Sequence, residues 1–284
     1  MVWVPARVKV PVMTVVIEAY RQVFGQLGLL LEIAWLPLLI LLAASILPDL
    51  FLPGRSLVAG APLSFTFADA VEAVVAIFCL NAFAVRWHQI ALYGGPRAIP
   101  AGLFRRAFAR FLIYTIALYL ASLVLIGAIA AASAILGASA TSAGANANDV
   151  FAILLIAAGV ASALLWLVTA RLALLFPAAA YGDALGWGAA WRLMRGNSWR
   201  LIACGVLGCA PFVLTVAVVM IAILSAADRG VDMARLPPSL GFLLLRGVID
   251  TVTNFVVVAL GASILSRFYR RIVLGERDRA PPQR

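Results

Sequence analysis

Long apolar runs alternate along this chain with short polar connections, and six of the runs are long enough to span a bilayer. About 20 helical residues cross the roughly 30 Å of hydrocarbon in a typical membrane. The runs lie near Leu27–Leu47, Asp69–Ala91, Phe108–Leu136, Phe151–Phe176, Leu201–Leu224 and Leu243–Tyr269. Pro48 and Pro53 are expected to close the first, and Gly94-Gly-Pro96 the second. The stretch 137–148, rich in Gly, Ala, Ser and Asn, reads as a soft loop, while Asp228-Arg-Gly and Pro237-Pro238 interrupt the last pair. Ahead of the first run, Val12 to Gln26 has helical periodicity. Val16, Ala19, Tyr20, Val23 and Phe24 share one side, and Glu18, Arg21 and Gln22 lie nearer the other. That pattern predicts an amphipathic helix at a membrane surface. The expected fold is all-α: a polytopic helical membrane protein of six transmembrane helices in a single integral domain, 1–284. Residues 1–26 form a cytoplasmic tail with Trp3, Arg7 and Lys9 and the amphipathic helix, and 270–284 form a second cytoplasmic tail.

Composition agrees with the pattern. Of 284 residues, 64% are hydrophobic and 12% charged, about half the charge fraction of a soluble domain. The first apolar run is interrupted by Glu32 and lacks the order of a cleaved signal peptide. The net charge of +10 would fit nucleic acid if it formed one stripe, but the arginines fall in several short segments, so no nucleic acid is expected. Cys79, Cys204 and Cys209 all lie in apolar runs and read as small packing residues, with no disulfide or metal spacing.

The distribution of charge predicts orientation. The N-terminal segment, the 86–110 and 171–200 connections and the C-terminal segment hold 18 of the 22 basic residues. The other side holds Arg55, Arg229, Arg235 and Arg246, together with most of the acids. Basic residues in short loops stay inside, which puts both termini in the cytoplasm of a bacterial inner-membrane protein. Trp87, Tyr93, Trp187, Trp191, Trp199, Tyr20 and Tyr269 fall on the same side and are expected to form an aromatic belt.

A threefold echo runs through the chain. Tyr20-Arg-Gln-Val-Phe24, Leu103-Phe-Arg-Arg-Ala-Phe108 and Trp187-Gly-Ala-Ala-Trp-Arg-Leu193 each precede a pair of spans. Each pair ends in an arginine-bearing exit: Val85-Arg-Trp87, Ala170-Arg-Leu172 and Ser266-Arg-Phe268. The pattern is that of three parallel hairpin repeats about an axis near the membrane normal.

Two sets of polar residues are candidates for function. The first is intramembrane: Glu32, Asn81, Arg246, Asp250 and Asn254. Ionisable groups at membrane depth mark either a site or an internal ion pair. Arg246, Asp250 and Asn254 follow one another at intervals of four and therefore share a helix face, with Arg246 and Asp250 placed to neutralise each other. Asp69 and Glu72 lie towards the same side. Glu32 is expected at headgroup level, paired with a loop arginine. The second set, Arg105, Arg106, Arg110, Arg171, Arg192, Arg195 and Arg200, is placed to contact lipid headgroups or a partner. His88, the one histidine, reads as an interfacial residue beside Arg86 and Trp87, and no spacing for a metal or cofactor accompanies it.

The repeated amphipathic starts, Phe176-Pro177 and the segment Ala190-Trp-Arg-Leu-Met-Arg-Gly-Asn197 resemble a broad group of uncharacterised bacterial integral membrane proteins. That group includes proteins similar to the membrane domain sometimes fused to glycerophosphodiester phosphodiesterases. The resemblance implies a helical membrane module without catalytic residues, since nothing here supplies the His and acidic metal-binding set of those phosphodiesterases. The expected function is a non-enzymatic module binding membrane lipids, chiefly anionic, or a protein partner on the cytoplasmic face. The alternative is a small-solute or lipid transporter using the intramembrane polar residues.

Overall fold

The computed structural model describes residues 9–51, 67–142, 147–228 and 240–275, with some side chains at helix ends left out. The tails, Arg55, Arg229, Arg235 and Pro237-Pro238 lie outside the described residues. The described chain is helical: α1 Val12–Gly25, α2 Leu27–Phe51, α3 Phe67–Tyr93, a short 3₁₀ turn at Pro96–Ala98, α4 Leu103–Ser142, α5 Ala147–Leu172, α6 Leu175–Tyr181, α7 Trp187–Leu193, α8 Ser198–Asp228 and α9 Leu240–Ile272. Among the described residues, six segments are long and apolar enough to cross a membrane: Leu27–Leu47, Phe67–Tyr93, Leu103–Ile135, Leu155–Tyr181, Ser198–Val219 and Gly247–Ile272. The chain is a multi-pass helical membrane protein.

Several boundaries differ from the expectation, each for a local reason. Pro48 does not end α2, which runs on to Phe51. Most of the expected 137–148 loop is helical, because α4 continues to Ser142 and α5 begins at Ala147. Alanine, abundant there, is the strongest helix former and outweighs the scattered Gly and Ser. The fourth apolar run is two helices. Pro177 has no amide hydrogen to offer Ala173, so α5 ends at Leu172 and α6 restarts with Pro177 in its first turn, where that hydrogen would have no helical partner. The restart is bridged by Phe176 N–H to Ala173 O (3.3 Å) and Ala178 N–H to Leu174 O (3.2 Å). α6 stops at Gly182, whose φ of 94° lies in the left-handed region.

The six long helices form a closed circuit. Each packs on the next in the order α2, α3, α4, α5, α8, α9, and α9 returns to α2; α3 also reaches across to α9. Small residues permit the closest approaches. A Cβ on Gly247 of α9 would lie 3.1 Å from Ile46 of α2, and one on Gly208 of α8 would lie 3.0 Å from Ile264 of α9. α1 lies against α8 and α9, α6 is wedged among α3, α4 and α9, and α7 rests on α5.

The core is concentrated at one end of this circuit. Buried side chains come mainly from α1, the last third of α3, the start of α4, α6, the start of α8 and the second half of α9. In contrast, Leu123, Val124 and Ile126 of α4 and Leu155, Ile156 and Val160 of α5 are more than half exposed, as expected of helices facing acyl chains.

The densest part of the core contains polar groups. Trp87 Nε1 donates to Ser263 Oγ at 2.9 Å, and His88 Nδ1 lies 2.8 Å from Ser266 Oγ. Gln89 Nε2 reaches Ala180 O at 3.4 Å. All five side chains are buried. Three assignments to the membrane interface are thereby corrected. His88 packs within 5.7 Å of the Phe111 ring instead of facing headgroups, and Trp87 and Tyr269 have no exposed surface. Their positions near the end of a span cannot distinguish inward from outward faces; only the neighbouring helices do.

Trp87→Phe should cost about 1–3 kcal/mol of stability, because Ser263 loses a buried partner. Adding Ser263→Ala should restore part of that loss, with a coupling of about 0.6 kcal/mol, typical of hydrogen bonds between membrane helices. Reversible unfolding of the two single mutants and the double mutant in bicelles measures the cycle; strict additivity would remove the bond from the account of α3–α9 packing.

Candidate functional site

The intramembrane candidates are spread over three helices. Glu32 lies exposed on α2 beside Leu31, Trp35 and Leu36, and among the described residues no hydrogen bond or ion pair reaches it. The loop arginine expected as its partner is not found there. Asn81 of α3 is buried and fully engaged: its amide donates to Ile77 O at 2.6 Å, and its Oδ1 accepts from Thr115 Oγ1 of α4 at 2.8 Å. Asp250 is half-buried on α9 and makes a contact of its own, whereas Asn254, one turn along, is exposed. Arg246 lies in the backbone of α9, but its side chain is outside the described ones. Asp69 and Glu72 are half-buried near the start of α3. Asn81 therefore acts as a bracket between α3 and α4, and no hydrogen bond among the described residues links it to Glu32 or Asn254.

The arginine candidates divide into structural and outward-facing groups. Arg200 Nη1 donates to Val10 O at 2.8 Å, and Asn197 Oδ1 accepts from Val10 N–H at 3.3 Å. The start of α8 thus grips the chain just before α1. Arg171 stacks over the Trp191 ring, 4.6 Å from its centroid, joining the end of α5 to α7. Arg110 reaches the backbone oxygen of Asp183 at 3.4 Å while remaining exposed. Arg105, Arg106, Arg192 and Arg195 are exposed, close in sequence to Phe104, Trp187, Trp191 and Trp199, which also expose large apolar surface.

A third group escaped the sequence reading. Glu18 of α1 forms ion pairs with Arg267 and Arg271 of α9, each at 3.2 Å. Gln22 Oε1 accepts from Arg267 Nη2 at 3.5 Å. On its opposite flank α1 is held by Tyr20, whose hydroxyl donates to Gly208 O at 2.8 Å. Burial, and then neighbouring Cys209, push the Tyr20 phenol above its ordinary pKa. Two signals were available in the sequence: Glu18, Gln22 and Gln26 at intervals of four, and Arg267, Arg270 and Arg271 at spacings of three and four. Nothing in either segment showed that the two faces meet.

Beside this lies an aromatic cluster. The Tyr93 hydroxyl donates to Tyr181 O at 2.9 Å, their rings stack at 5.1 Å, and Tyr269 donates to the Asp183 carboxylate. Gly182 allows this turn, placing Asp183 over the end of α9. Among the described residues no group of three or more His, Cys, Asp or Glu side chains could hold a metal ion.

If Arg200 serves packing, Arg200→Gln should raise amide exchange at the start of α1 by roughly 5–30-fold, corresponding to one or two kcal/mol, and leave bound lipid unchanged. Exchange measured by mass spectrometry on the micellar protein checks this, and protection equal to wild type would return Arg200 to the outward-facing group. Comparison of the chain with protein-family models, curated proteins and solved structures finds no match.

Proposed function

We propose that this chain is a non-enzymatic, multi-pass module of the bacterial inner membrane that holds anionic lipid headgroups on an arginine-rich cytoplasmic face. The observation that carries the reading is the exposure of Arg105 and Arg106 next to Phe104, and of Arg192 and Arg195 close in sequence to exposed Trp187, Trp191 and Trp199, at the packed end of the bundle. Arginine forks onto phosphate oxygens, and tryptophan favours the headgroup layer, so the combination suits a lipid surface. His88, Ser263 and Ser266, three side chains suited to acid–base or nucleophilic chemistry, are tied to the core instead. The transport alternative draws less support, because Glu32 and Asn254 face outward and Asn81 is bracketed to Thr115.

The threefold repeat is part of the same proposal. Its support is cyclic. The aromatic–arginine start of the first unit, Tyr20-Arg21, packs through α1 on the α8–α9 pair. The second start, with Phe104-Arg105, sits at the head of α4 against α3, where Phe108 lies 6.2 Å from Phe78. The third, Trp191-Arg192, packs through α7 on α5. Each start thus leans on the hairpin of the preceding unit. In this reading the three amphipathic segments share one end, where a membrane surface would meet them together.

Two experiments test the proposal. A reporter active only in the cytoplasm should give signal when fused after Arg284 and none when inserted at 143–146; the reverse pattern refutes the orientation. Replacing Arg105, Arg192 and Arg195 with glutamine should weaken binding of anionic lipid, at about 1 kcal/mol per arginine near the surface. Native mass measurement reads the occupancy, with orientation confirmed in the same preparation. Unchanged lipid occupancy accompanied by loss of a co-purifying protein would move the face from lipid to partner binding.

A further inference from the structure

A polar cleft opens where α1 crosses the ends of α3 and α9. Its volume is about 340 Å³, and Glu18, Arg21, Gln22 and Gln26 of α1 face Arg267 and Arg270 of α9 across it. Ile90, Ala91 and Gly94, at the end of α3, complete the lining with apolar surface. Small-molecule sites run from about 300 Å³ upward, so the space exceeds what a bare inorganic ion requires. None of these α1 or α9 residues belongs to the outward arginine set.

The chemistry of the lining points one way. Three guanidinium groups meet one carboxylate, and that carboxylate is already shared between Arg267 and Arg271 at 3.2 Å each. Glu18 therefore acts as a brace that fixes Arg267 and Arg271 of α9 in place. Arg21, three residues on from Glu18 and exposed, has no partner among the described residues. Two glutamine amides add neutral donors. Braced guanidinium groups with amide donors recognise tetrahedral oxyanions, because the planar fork matches a pair of phosphate oxygens. Gly94 leaves the mouth clear: a Cβ there would meet no atom within 4 Å. The apolar residues beside the charges suit a ligand carrying a hydrocarbon portion next to its phosphate.

We propose that this cleft is a phosphate-binding site, taking the phosphodiester of an anionic lipid headgroup or free phosphate. It is distinct from the outward arginines but rests on the same reading of this end as the headgroup-facing one. The cleft lies at the ends of two spans, Tyr93 and Ile272, the level at which headgroup phosphates sit.

The test uses the full chain in neutral detergent, with phosphatidylglycerol and inorganic phosphate as separate probes. Saturable binding of one phosphatidylglycerol, weakened at least tenfold by Arg21→Gln with Arg270→Gln, is the expected result, whereas Arg105→Gln with Arg192→Gln and Arg195→Gln lowers only the occupancy of further, weaker lipids. Thermal unfolding accompanies each measurement. Arg21→Gln alone provides the variant least able to disturb packing, and it should itself weaken binding severalfold. Displacement of the lipid by millimolar inorganic phosphate, with the same dependence on Arg21, would identify free phosphate as the ligand; failure to displace it identifies the headgroup. Normal binding of both probes by folded cleft variants overturns the site. If the outward triple alone then loses lipid, the broader lipid reading survives; if neither set of variants loses it, both readings fall.

Discussion

Three consecutive side chains on α3, Trp87, His88 and Gln89, constrain the rest of the bundle. Each carries a polar group into a fully buried position, where an unpaired donor or acceptor is costly. Trp87 and His88 are satisfied only if Ser263 and Ser266 of α9 stand opposite them, and Gln89 reaches its acceptor only if α6 passes alongside. That requirement fixes the α3–α9 contact across the circuit. With α3 and α9 held together, α2 is confined between them, and α9 is placed to receive α8 and α1. Polar pairing thus selects one arrangement among the many that would bury similar apolar surface, a role helix-to-helix hydrogen bonds can take where the lipid itself is apolar.

The result is a bundle tight at one end and open towards lipid at the other. Short helices α1, α6 and α7 all gather at the tight end, and so do most of the described arginines. A rigid platform is what a set of cationic side chains needs in order to present several donors at once. Flexible arginines would lose rotamer freedom on every contact. In the proposed function the packed end supplies that platform, while the exposed midsections of α4 and α5 need only match the acyl chains.

Arginine serves two purposes in this protein. Arg200, Arg171, Arg267 and Arg271 bind other parts of the chain: a backbone oxygen, an indole ring and a shared carboxylate. Arg105, Arg106, Arg192 and Arg195 face outward. Arg21 and Arg270 line the cleft and connect the two roles, since the same Glu18 brace that locks α1 onto α9 also shapes the wall in which they sit. An account of positive charge based only on topology would treat all of these alike.

The sequence by itself determined the class of the protein, because hydrophobic run length and charge fraction depend on the solvent and hardly on the partners of any one residue. It determined the number of long apolar helices found among the described residues and the periodicity of α1. It misjudged the 137–148 connection, where alanine propensity carried the helices almost through. Tertiary structure alone decided which face of each span turned inward. Trp87, His88 and Tyr269 occupy span ends, where sequence patterns favour an interfacial position, yet their neighbours bury them. It alone separated Arg200 from Arg195, and it alone brought Glu18 to Arg267, some 250 residues away. In a membrane the inner and outer faces of a helix are both apolar, so the periodicity that reveals a buried face in water is faint. Which polar groups meet is then set by how the helices pack, and that information is spread over the whole chain.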